Sequence, residues 1–143
     1  MFLGEYKHNL DYKGRLAVPK KFRKELASGA ILTKGLDGCL FLYPQESWEK
    51  LTNRLKESSV TQADTRAFER YLFGRAVAVE FDLLGRVKIP EYLLEYALIK
   101  KEAVFVGILE RIEIWNPDKW NKLARKLDSR GEEIAEKLSE RGV

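Results

Sequence analysis

The chain has 143 residues, 45% of them apolar and 34% charged, which suits one domain or two small units sharing a core and excludes a mainly disordered protein. No apolar run approaches the roughly 20 residues needed to cross a bilayer, and no basic leader precedes an apolar stretch, so neither membrane insertion nor secretion is expected. Single Cys39 can form no internal disulfide and fits a reducing interior, so the cytoplasm is the expected compartment. The net charge of +4 is uneven: residues 1–75 carry 14 Lys/Arg against 9 Asp/Glu, and residues 76–143 carry 12 against 13. The excess gathers at Lys7, Lys13, Arg15, Lys20, Lys21, Arg23 and Lys24, which suits a polyanionic partner or, equally, a solvated face of long side chains.

In chain order, Tyr6, His8 and Leu10 alternate as a strand does. The turn Asp11-Tyr12-Lys13-Gly14 follows, then a short strand with Leu16 and Val18 on one face. Pro19 ends that strand and suits a helix start, and Phe22 and Leu26 sit four apart on one helical face. Strands are expected at Ala30–Thr33 and Leu40–Tyr43 with Gly35 between them, followed by a helix with a Trp48, Leu51 and Leu55 stripe that reads as core. A connecting helix spans Thr61–Gly74, with Thr61-x-x-Asp64 as its cap and Phe68 and Leu72 as its apolar side.

The pattern then starts again. Val77, Val79 and Phe81 alternate, Asp82-Leu83-Leu84-Gly85 makes a turn, Val87 and Ile89 form a short strand, and Pro90 precedes Leu93 and Ala97. Strands at Ala103–Val106 and Glu110–Trp115 flank Gly107, and a helix carries Trp120, Leu123 and Leu127. From Arg130 onward the chain is highly charged, with Ile134 and Leu138 as isolated apolar residues. Gly131 weakens a helix there, so an exposed or frayed final helix, or one ordered by a neighbouring subunit, is expected.

Asp11, Gly14, Arg15 and Pro19 meet Asp82, Gly85, Arg86 and Pro90 at one constant offset, so the chain is two copies of one unit. The expected organisation is a first repeat at 5–56, a helical connector at 57–75, a second repeat at 76–128 and a charged helix or tail at 129–143. Neither unit alone has strands enough to hide its edges; two copies that interleave their hairpins would close a small barrel. The predicted fold is therefore α+β, with two tandem β-α-β-β-type repeats interleaved about a pseudo-two-fold axis and flanked by helices.

Within the turns, Asp11 and Asp82 can accept backbone N–H bonds, and Gly14 and Gly85 supply positive φ, so these four build structure. Arg15 and Arg86 face away from the core, because Leu16 and Val87 face into it. Two arginines on matching turns form an anion or base reader; the alternative is an Asp11–Arg15 ion pair closed within the turn. No zinc ligand set, Ser-His-Asp arrangement or phosphate-binding glycine loop can be assembled, and His8 reads as a packed or partly exposed ring, so no enzymatic activity, metal, cofactor or small-molecule substrate is expected.

The block Gly4-Glu-Tyr-x-His-x-Leu-Asp-x-Lys-Gly-Arg-Leu-x-Val-Pro-x-Lys-Phe-Arg23, with the second Asp-x-x-Gly-Arg-Val-x-Ile-Pro at 82–90, resembles the MraZ family of bacterial transcriptional regulators. The second block is also similar to the wider AbrB-like class of swapped-hairpin DNA-binding barrels. The resemblance covers nearly the whole chain. It implies a nucleoid-associated regulator that binds short G-rich direct repeats in double-stranded DNA ahead of the cell division and cell wall gene cluster, as an octamer-like ring. It also implies Arg15 and Arg86 as DNA-facing residues, with Lys13 and Lys20 as phosphate neighbours. Lys20, Lys21, Arg23 and Lys24 become Glu91, Tyr92, Leu94 and Glu95 in the second copy, so the first copy is expected to hold DNA harder. Two other classes stay open: an oligomeric scaffold that binds a protein through the same turns, and an RNA-binding or antitoxin-like relative acting as a dimer.

Overall fold

The computed structural model describes all 143 residues. Its elements are β1 (Phe2–Asn9), β2 (Arg15–Ala17), α1 (Lys20–Leu26), β3 (Ala30–Lys34), β4 (Leu40–Pro44), α2 (Gln45–Lys56), α3 (Ala63–Leu72), β5 (Val77–Val79), β6 (Arg86–Lys88), α4 (Glu91–Ala97), β7 (Glu102–Leu109), β8 (Arg111–Trp115) and α5 (Pro117–Glu140). The fold is α+β, and every strand pairing is antiparallel.

Six strands form one sheet in the order β1-β7-β8-β4-β3-β5, and β2 pairs with β6 in a separate ribbon. The order shows how the repeats interleave. Hairpin β3–β4 belongs to the first repeat and β7–β8 to the second, and they meet at the centre through Leu40↔Ile114 and Leu42↔Ile112. Opening strand β1 of the first repeat lies on β7, and its counterpart β5 lies on β3. Each opening strand thus pairs with the hairpin of the other copy, and β2 with β6 does the same across the ribbon. No ladder joins β5 back to β1.

Alternation along the strands divides the apolar residues between two faces. Leu40, Leu42, Ala103, Phe105, Ile112 and Ile114 point to the larger core, where they meet Leu16, Val18, Val87 and Ile89 of the ribbon and Phe22, Leu26, Leu93 and Ala97 of α1 and α4. Phe22 takes edge contacts from Phe2 and Tyr6, each with ring centroids 5.3 Å apart. On the opposite face lie Cys39, Phe41, Tyr43, Val104, Val106 and Trp115, with Trp48, Leu51, Trp120 and Leu123 packed over them only in part. Neither α2 nor α5 contributes a fully buried residue.

Three local expectations change. Thr61 does not cap the connecting helix: α3 starts at Ala63 after an extended Gln62 with no side-chain cap, and the Thr61 hydroxyl bonds instead with Ser59 at 2.6 Å. Gly107 lies inside β7 rather than between strands, because β1 runs alongside and pairs Gly4 with Gly107; a Cβ there would strike the backbone of Phe2 and Leu3. Helix α5 also passes unbroken through Gly131 to Glu140, flanked by Arg130–Glu133 and Lys137–Glu133 ion pairs at 3.4 and 3.2 Å, while its last turns stay exposed. No helix is long and apolar enough to cross a membrane.

The connector is tied down at its C-terminal end. Buried Thr33 donates its hydroxyl to Leu72 O, and Tyr71 donates to Gly35 O while its hydroxyl meets that of Tyr96.

Candidate nucleic-acid interface

The two Asp-x-x-Gly-Arg segments fold into near-identical turns. In the first, Asp11 N donates to Arg15 O and Gly14 N to Asp11 O; in the second, Asp82 N donates to Arg86 O and Gly85 N to Asp82 O. One carboxylate oxygen of each aspartate accepts two backbone N–H bonds at 2.9 Å, from Lys13 and Arg15 in one turn and from Leu84 and Arg86 in the other. Gly14 and Gly85 both sit at φ +74°, a backbone that a side chain strains.

The other carboxylate oxygen takes the arginine. Arg15 Nε donates to Asp11 Oδ2 at 2.7 Å and Arg86 Nε to Asp82 Oδ2 at 2.8 Å. The intra-turn ion pair therefore forms, and it does not consume the guanidinium: no hydrogen bond within the chain occupies the terminal nitrogens of either arginine. Arg86 Nη1 lies 3.5 Å from Asp11 Oδ2, so the two pairs form one network. Hydrogen bonds hold both carboxyl groups below the usual aspartate range. At Asp82 the Arg86 N–H leads; at Asp11 burial is the largest single influence and acts upward, but the bonds from Arg15 and Lys13 together outweigh it.

The ribbon places these groups together. Its register pairs Arg15 with Lys88 and Ala17 with Arg86, while Leu16 and Val87 are buried behind them. Arg15, Arg86 and Lys88 therefore share one outward face, with a turn at each end of the ribbon. The ends are sewn crosswise, Val18 N to Gly85 O at 3.1 Å and Ile89 N to Gly14 O at 2.9 Å.

This crossing redistributes the charge. Helix α1, with Lys20, Lys21, Arg23 and Lys24, starts beside the second turn, not beside the first that precedes it in sequence. Arg23 Nε donates to Val18 O at 2.8 Å and its guanidinium lies against Gly85. Acidic α4 lies by the first turn, where Glu91, Leu94 and Glu95 line a cleft of about 780 Å³ with Asp11, Lys13 and Lys88. Lys88 Nζ crosses to donate to Lys13 O. The four basic residues behind the expectation that the first copy holds DNA harder therefore lie on a helix beside the second turn, because swapping hands the basic helix of one copy to the turn of the other. Lys13 is exposed at the tip of the first turn, and Lys20 is exposed at the start of α1.

Arg23 was missed as a support for the second turn. The signal was the Arg23/Leu94 difference between copies, but it gains meaning only once the crossing is known. His8 is a packed ring, edge-on to Phe105 at 5.8 Å, and burial, then Arg23, holds its imidazole below the ordinary range. No three His, Cys, Asp or Glu side chains gather as a metal-binding group.

A family model described as "MraZ protein, putative antitoxin-like" matches residues 1–71 and again 72–141. The chain is 49% identical over 138 residues to a protein of Pelotomaculum thermopropionicum, covering 96% of this chain and 95% of that one. It is 46% identical to a protein of Alkaliphilus oremlandii over 143 residues and 100% of both. It is likewise 46% identical to one of Heliobacterium modesticaldum over 138 residues and 96% of each. All three relatives carry the name "Transcriptional regulator MraZ".

Proposed function

The chain belongs to the MraZ family, and from that premise we propose that it is a non-enzymatic transcriptional regulator that reads double-stranded DNA through Arg15 and Arg86. The observation that carries this reading is the side-on seating of both guanidinium groups. Asp11 and Asp82 each hydrogen-bond only the Nε of their own arginine; Arg86 Nη1 also lies 3.5 Å from Asp11 Oδ2 but makes no hydrogen bond to it, so the terminal N–H groups of both arginines stay available to a partner. Those nitrogens suit bidentate donation to guanine O6 and N7, the commonest specific contact in the major groove. Lys13 and Lys20 supply phosphate contacts on either side, and Asp11, Gly14, Asp82 and Gly85 are the supporting frame.

The proposed target is a set of short G-rich direct repeats ahead of the cell division and cell wall gene cluster, bound at the nucleoid by a ring of identical subunits. Half-covered Trp48, Leu51, Trp120 and Leu123, with Leu127 and Leu138 exposed further along α5, support self-association. In a ring each subunit offers its turns to successive repeats, so weak single contacts gain effective concentration. The repeats at 5–56 and 76–128 act as one reader, because each completes the strands of the other.

An anisotropy titration on a G-rich repeat duplex at several salt concentrations tests this. Affinity should fall steeply with salt, and Arg15→Ala or Arg86→Ala should each weaken binding by about 5- to 150-fold. Unchanged affinity in both folded variants removes the turns from DNA recognition. Light scattering showing a monomer or dimer at all concentrations removes the ring.

A further inference from the structure

Residues at the tip of a tight turn are ordinarily polar, because they face water and pack on nothing. Here the tip of the second turn is Leu83-Leu84. Leu83 is fully exposed and Leu84 is 65% exposed, and the matching tip of the first turn carries Tyr12 at 89% exposure. Neither leucine is needed to make the turn. The backbone is closed by Asp82 and Gly85, and neither leucine adopts positive φ. The turn itself is rigid, since the Asp82 carboxylate bonds Leu84 N, Arg86 N and Arg86 Nε. Leu83 is thus an apolar group held out into solvent, three residues from the partner-facing guanidinium across a closed turn.

The two tips also differ in charge. The first carries Lys13 beside Tyr12, with the ammonium 5.7 Å from the ring centroid; the second carries no charge and has basic α1 beside it. A phosphate partner gives the first tip a direct contact and gives Leu83 none. In the major groove, base pairs show one apolar group, the C5-methyl of thymine.

We propose that Leu83 is a specificity residue, packing on the methyl group of a thymine beside the guanine that Arg86 reads. This rests on the DNA-binding reading above. It makes the two turns unequal readers: the first combines arginine with a cation at its tip, and the second combines arginine with an apolar contact.

The test uses the full-length protein, Leu83→Ser, Arg86→Ala and G-rich repeat duplexes in which one thymine at a time is replaced by deoxyuridine, which lacks only the methyl. Burying one methyl group corresponds to about a fourfold change in affinity. Leu83→Ser should bind about fourfold more weakly with an unchanged salt slope. One deoxyuridine position should reproduce that loss in the parent and have no effect in Leu83→Ser. Because Leu83 is fully exposed, the variant should fold as the parent does.

If Leu83→Ser binds like the parent while Arg86→Ala does not, the inference is overturned and the DNA reading stands. If Leu83→Ser loses affinity but no deoxyuridine position does, or if its oligomeric mass changes, Leu83 wedges between bases or contacts a neighbouring subunit and the inference is likewise overturned. If the parent binds no duplex at any salt concentration, both readings fail together.

Discussion

Gly14 and Gly85 share one backbone conformation but not one environment, which makes them an internal control for the crosswise packing. Both lie at φ +74°, so alanine at either should strain the left-handed backbone by about 1–2 kcal/mol. At Gly14 the nearest atoms to a new Cβ are Lys88 Nζ at 3.3 Å and Ile89 O at 3.5 Å, and a small shift accommodates it. At Gly85 the Cβ would fall on the Arg23 guanidinium, which would have to leave. Its departure breaks the bond from Arg23 Nε to Val18 O and strands an acceptor on a fully buried residue, which costs about 1–3 kcal/mol more. Gly14→Ala should therefore destabilise by about 1–2 kcal/mol and Gly85→Ala by roughly 2–5 kcal/mol. Urea unfolding at one fixed protein concentration measures both, and the comparison is repeated in Arg23→Ala, where the excess at Gly85 should vanish. Equal losses at the two glycines, or an excess that persists without Arg23, would refute the reasoning.

Two further outcomes are expected. Thr33→Val keeps the shape of a fully buried residue but leaves Leu72 O without its hydroxyl donor, and should lower stability by about 1–3 kcal/mol in thermal unfolding, with Thr33→Ser losing less; a Thr33→Val protein as stable as the parent contradicts the role given to that bond. Asp11 and Asp82 titrate below the ordinary aspartate value of about 3.9, so the unfolded chain binds their protons first as pH falls. The stability their charge contributes is complete above that value and is lost as pH drops through it towards the folded pKa. Asp11→Asn/Asp82→Asn should therefore show a shallower acid dependence of unfolding, and an unchanged slope would sever the link.

Local chemistry made much of this legible. An aspartate, a glycine and an arginine at fixed spacing specify the turn, and period-two apolar residues specify which way Leu16, Val18, Val87 and Ile89 face. Duplication could also be read, because the two blocks keep their register. What stayed hidden was partnership at a distance. Nothing near Lys20 or Arg23 tells them that their neighbour is a turn roughly sixty residues away, so the sequence alone places their charge beside the wrong turn. The Asp11–Arg15 pair was posed as an alternative to an available arginine, whereas the geometry provides both, because a guanidinium has two sides. Thr61 misled for a related reason: its spacing to Asp64 is that of a capping box, but the chain leaves Gln62 extended and starts the helix one residue later.

The crosswise ribbon has a consequence in time. Leu16 meets Val87, and β1 closes on a strand that ends at Leu109. Pairings between such distant segments form slowly, since loop-closure entropy must be met before any contact rewards it. During synthesis, a chain that has emerged only as far as the connecting helix carries Asp11 and Arg15 but no β6, no Gly14–Ile89 bond and no opposing arginine. The outward ribbon face that carries Arg15, Arg86 and Lys88 therefore arises late and all at once, as a property of the finished polypeptide. A half-translated chain holds the first turn without the strand that completes that face.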